Sequence, residues 1–186
     1  MRACTWLLVA VLAGQPLSAQ TVVQPDQPLD STQVTLRDAL LVLRDSLVTI
    51  DGAAGRLQRD YRQTSGPSLL SRARVMRDAC ARSVRTIRPT RTAILSVQLS
   101  NTTRSKGRTR IVGALDTLRG FLTRCEKDFS EMSQPEKAET VRGYGNDRAV
   151  QVQGAIRRYE RTMQEFLGLM GIKVAPLGAP ASALAQ

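Results

Sequence analysis

The residues of this chain that could do chemistry are few, and the most telling are Cys80 and Cys125. Each falls on an apolar seam at helical spacing. Their midpoint is 102.5, inside a polar stretch that reads as a turn. A helical hairpin folded there brings both residues to one height on inward-facing sides. Closing that loop of roughly 46 residues by a disulfide is worth about 4 kcal/mol in the chain-entropy model. The competing reading is two buried free thiols. A third cysteine, Cys4, lies in an N-terminal leader and leaves with it.

Other chemistries lack their residues. The chain has no histidine, so Ser-His-Asp and Cys-His nucleophiles and histidine-ligated zinc, copper or haem are excluded. Met76, Met163 and Met170 fall on helical seams, where methionine fills cores. Asp38, Asp45, Asp51 and Asp60 lie off the seam beside arginines, as do Glu126, Asp128 and Glu131. All read as solvated, ion-paired helix faces. Gly143-Tyr144-Gly145-Asn146-Asp147 has the glycines of a phosphate loop but follows no strand, so it reads as a helix break. No catalytic, cofactor-binding or metal-ligating set emerges, and an enzyme built on arginines and carboxylates alone is disfavoured.

The elements that must position these residues are helices. Apolar residues recur at alternating spacings of four and three in four stretches. The first is Leu36, Leu40, Leu43, Leu47, Ile50, Ala54, Leu57, Tyr61. The second is Leu69, Ala73, Met76, Cys80, Ser83, Ile87, Thr90, Ile94, Val97. The third is Ile111, Leu115, Leu118, Leu122, Cys125, Phe129, Met132. The fourth is Val152, Ile156, Tyr159, Met163, Phe166, Met170. A period of 3.5 keeps one side of a helix against its neighbours. It predicts helices over roughly 33–63, 68–100, 108–132 and 134–171. Pro89 should kink the second, and Gly143 and Gly145 weaken the start of the fourth. Ser133 and Glu136 match a capping box. Short turns between long helices require antiparallel neighbours. The expected fold is therefore all-α: an antiparallel up-down four-helix bundle stapled by one disulfide, Cys80–Cys125.

Around this single domain, at 33–171, lie three flanking pieces. Residues 1–19 read as a signal peptide, with Arg2, an apolar run from Trp6 to Ala13, and a small residue before cleavage after Ala19. That run is far short of the ~20 residues that span a bilayer, which argues against a retained anchor. Residues 20–32 read as an extended lead-in, and 172–186 as an Ala/Pro-rich disordered tail. Export, to the periplasm or outside the cell, supplies the oxidising compartment in which a disulfide persists.

Charge is concentrated. The whole chain carries a formal +11, and removing Arg2 with the leader leaves +10. Residues 72–110 hold eleven basic residues against Asp78 alone, so this segment accounts for all of it. Arg74, Arg77, Arg85 and Arg88 fall within about 80° on a helical wheel, opposite Met76, Cys80, Ile87 and Ile94. Arg104, Lys106, Arg108 and Arg110 extend the field from the turn that follows. The function itself is not legible. One reading is an exported, non-catalytic bundle with an interaction or structural role, including a protein partner. The alternative is electrostatic binding of a polyanion or anionic envelope surface through 72–110. No aromatic residue lies between Tyr61 and Phe121 to stack on bases, which disfavours sequence-specific nucleic acid recognition. The stripe also lacks large apolar residues, which favours adsorption over membrane insertion.

Overall fold

The computed structural model describes residues 29–59 and 61–172. The leader with its cleavage position, residues 20–28 of the lead-in, Asp60 and residues 173–186 of the tail lie outside the described residues. The chain folds into four long helices, with no strand among the described residues. Helix α1 runs Ser31–Arg59, α2 Gly66–Ser96 and α3 Thr102–Met132. A 3-10 turn, Pro135–Lys137, leads into α4. That helix begins as Ala138–Thr140, widens to a π-helix over Val141–Gly145 and continues as α over Asn146–Leu169.

The four helices form a ring in which α1 packs on α2 and α4, and α3 packs on the same two. Cross-links between neighbours fix antiparallel directions. On the α1–α2 side Arg72 reaches Arg56 and Thr90 reaches Ala39. On the α1–α4 side Gln33 meets Met170 and Gln153 meets Asp51. The residue number rises on one helix as it falls on the other.

Every seam residue predicted from the period is buried, except Tyr61, which is half-buried beyond the end of α1. A single apolar core results. Small residues widen the seams: Ala53, Ala79, Ala93, Ala149 and Ala155 are buried on the flanks and let helices approach closely. The staple joins α2 to α3, with the Cα atoms of Cys80 and Cys125 6.1 Å apart and the sulfurs at bonding distance.

Helix ends depart from expectation. Helix α3 starts at Thr102, not near residue 108, because the Asn101 side chain accepts the Arg104 N–H at 2.8 Å and caps it. Residues 104–110 are therefore helical and do not form a polar turn. The capping box at Ser133–Glu136 does not form: the Ser133 hydroxyl donates to the Phe129 carbonyl at 2.5 Å and closes α3 instead. A reciprocal box sits at Asp30 and Gln33. Asp30 Oδ1 accepts the Gln33 N–H at 2.7 Å, and Gln33 Oε1 accepts the Asp30 N–H at 3.0 Å. Hydrogen bonds from the Thr32 hydroxyl and the Gln33 N–H hold the Asp30 carboxyl below its usual range.

Helix α2 continues through Pro89, whose ring faces solvent. Gly143 and Gly145 become part of the π-helix rather than a break. A Cβ at Gly145 would lie 3.3 Å from Val141 of the same turn and 3.5 Å from Phe129, so this turn lies against α3 at van der Waals distance. Helix α4 ends in a Schellman motif. Gly171 takes φ 73°, its N–H donates to Gly168, and the Ile172 N–H donates to Leu167 at 2.9 Å. Ile172 is thereby buried and belongs to the bundle, one residue into the expected tail.

Candidate anion-binding surface

Helix α2 must turn one side inward to bury Met76, Cys80, Ser83 and Ile87, and this sets what it shows to solvent. Arg74, Arg82, Arg85 and Arg88 are exposed and meet no carboxylate among the described residues. Arg82, Arg85 and Arg88 follow at intervals of three and so climb one side of the helix. Arg77 differs: its Nε lies 2.8 Å from Asp78 Oδ1. That pair, with both side chains about half exposed, adds little stability, but it cancels charge in the middle of the stripe. Arg91 likewise sits 3.4 Å from Asp116 of α3. The candidate surface is thus Arg74, Arg82, Arg85 and Arg88. Arg82 replaces Arg77 in the set expected from the wheel.

The four basic residues of 104–110 lie elsewhere and do two different things. Arg104 Nε donates to the Leu169 carbonyl at 2.9 Å, and Arg108 Nη1 donates to the Val97 carbonyl at 3.2 Å. Leu169 and Val97 stand at the C-terminal ends of α4 and α2, where carbonyls lack intrahelical partners and carry negative partial charge. Lys106 and Arg110 are exposed and line a cleft between α3 and α4 together with Thr162 and Glu165. The eight basic residues singled out from the sequence therefore do not form one patch.

Arginine serves as a cap at the end of α1 as well. Arg72 Nη1 donates to the Arg56 carbonyl at 2.6 Å. Arg142, on the π-turn of α4, donates to the carbonyls of Tyr61, Arg62 and Thr64 at 2.5, 2.6 and 3.1 Å. Its Nε pairs with Glu139 at 3.0 Å. A planar guanidinium with five donors can gather several carbonyls at once, as lysine cannot. Three of the four long helices thus end on arginines supplied by another helix. No pattern along the chain announces these bonds, since each joins residues set together only by the fold.

Of the carboxylates read as ion-paired, some find partners, whereas Asp45, Glu126 and Glu131 make no ion pair among the described residues. Asp38 meets Arg37 at 2.9 Å, and Asp51 accepts from Gln153 Nε2 at 2.9 Å. Asp128 pairs with Arg148 Nε at 2.6 Å with both side chains largely covered. Tyr144 stands beside them, accepting from Arg148. No group of three potential metal ligands occurs among the described residues. Met76, Met163 and Met170 are core fillers.

One carboxylate was missed. Glu160 is 8 % exposed and faces Arg44 of α1, Nε to Oε1 3.7 Å. It shares a heptad position with Gln153 and the buried Leu167, and that register is the signal that places it on the α1 side. Beside it, Tyr159 is buried with no hydrogen-bond partner for its hydroxyl among the described residues. Burial, and then the Glu160 charge, push the phenol far above its usual range.

Comparison with protein-family models, curated proteins and solved structures finds no match for this chain. No helix among the described residues is long and apolar enough to cross a membrane.

Proposed function

We propose that this protein is an exported, non-catalytic bundle that binds a polyanionic surface reversibly through the outer face of α2. One observation carries the reading. Arg74, Arg82, Arg85 and Arg88 are exposed, make no ion pair among the described residues and stand together on the outer side of one helix. These four do no visible work for the fold. The leader pattern and the Cys80–Cys125 staple support a compartment outside the cytoplasm. Envelope surfaces there present phosphates and carboxylates at high density. Each cation near such a surface contributes about 1 kcal/mol, so four together give measurable, salt-sensitive adsorption.

The test is sedimentation with phosphatidylglycerol vesicles at low and high salt. Wild type should bind at low salt and release as salt rises. Reversing Arg74, Arg82, Arg85 and Arg88 to glutamate should abolish binding and leave the helical circular dichroism unchanged. Binding by the reversed protein equal to wild type would refute the assignment.

A further inference from the structure

Where α3 begins and α4 ends, the two helices line a cleft of about 400 Å³, within the size range of small-molecule sites. Its floor is apolar. Phe166 is buried, and Leu169 is one of the few large apolar side chains left in contact with solvent, at 37 %. Gly107 forms the wall on α3: a Cβ there would lie 2.7 Å from Leu169 Cδ1 and 3.4 Å from Phe166 Cδ2. A glycine is what lets these surfaces close together. Arg104 pins the Leu169 carbonyl, so the floor is held from beneath.

The rim is charged. Lys106 and Arg110 are one helical turn apart on α3, on one side of it, and both line the cleft. Neither makes an ion pair among the described residues, although Glu165 lines the same cleft from α4. Two cations against one carboxylate leave the rim net positive beside an apolar floor.

The geometry points to a binding site for a single-chain anionic amphiphile. The phosphate or carboxylate head sits between Lys106 and Arg110, and a chain of roughly ten carbons lies over Phe166 and Leu169. An inorganic anion would leave the floor wet, and an uncharged chain would leave both cations without a partner. All the lining residues belong to α3 and α4, so the site is separate from the α2 face and does not depend on the function proposed for it.

Titration calorimetry with decyl phosphate, below its aggregation threshold, tests the proposal against inorganic phosphate and decanol. Wild type should bind one decyl phosphate per chain and give no comparable signal with either of the others. K106E/R110E changes two exposed residues and should weaken binding about tenfold or more. Thr162→Trp, which fills the cleft from its half-buried edge, should remove binding while melting like wild type. Reversal of the four α2 arginines should leave decyl phosphate binding unchanged. Unaltered binding by K106E/R110E, inorganic phosphate binding as tightly as decyl phosphate, or no binding by wild type would each overturn it.

Discussion

Replacing Arg142 with glutamine should destabilise the bundle far more than the same change at Arg85. Arg142 is three-quarters covered, at 27 % side-chain exposure, and its guanidinium gathers three carbonyls of the turn between α1 and α2. A hydrogen bond to a charged group contributes about 1.5–3 kcal/mol when fully shielded. Water can replace the bond to Arg62, which is exposed, so about 1 kcal/mol per carbonyl is the better figure here, and about 3 kcal/mol in all. For a domain of this size that lowers the melting temperature by about 6–12 °C. Arg85 is exposed and makes no hydrogen bond or ion pair among the described residues, so its replacement should stay within about 0.5 kcal/mol. Arg142→Lys should recover only part of the loss, because one ammonium cannot span three carbonyls. Thermal unfolding followed by circular dichroism measures all three. Equal melting of the Arg142→Gln and Arg85→Gln proteins would refute the division of arginines into those that hold helix ends and turns and those that face solvent.

Three further outcomes follow from the packing and caps. Changing Cys80 and Cys125 together to serine should cost up to about 4 kcal/mol, read as a lower denaturation midpoint that reducing agent reproduces in wild type. Tyr159→Phe should leave stability unchanged or raise it by about 1 kcal/mol, since it removes a buried hydroxyl that lacks a partner among the described residues; a clear loss would mean that hydroxyl is bonded. Asp30 has its carboxyl held low by the cap, so its contribution is complete above the usual aspartate range and is lost as pH falls through the folded value. The melting difference between wild type and Asp30→Asn should therefore shrink on acidification, and a gap independent of pH would contradict the cap.

The core was legible because burial and helical period are the same fact seen twice. A residue such as Leu43 or Phe129 is apolar because its position on the wheel faces a neighbour. Cys80 and Cys125 were legible for the same reason, with equal distance from one turn as an added constraint. Helix ends were less so. Ser133 and Glu136 have the residue types of a capping box, but the Phe129 carbonyl captures the serine hydroxyl. Asp30 and Gln33 have equally good types, and there the box forms. The bonds from Arg104 to Leu169 and from Arg142 to Tyr61 bridge sequence separations of 65 and 81. Nothing local distinguishes those arginines from the exposed ones of α2. The basic segment therefore looked like one patch in sequence and divides into three groups in space: the α2 face, the caps, and the rim of the α3–α4 cleft.

The salt dependence of polyanion binding tests the central claim most directly. With duplex DNA as a regular polyanion, the logarithm of the binding constant falls against the logarithm of salt concentration by about 0.9 for each phosphate neutralised. If Arg74, Arg82, Arg85 and Arg88 make the contacts, changing each to glutamine should reduce that slope by about one unit, and by the full set when combined. The Arg77→Gln protein, whose side chain is already paired with Asp78, should change it less. Slopes that are the same for wild type and the fourfold variant would contradict the assignment of the α2 outer face as the binding surface.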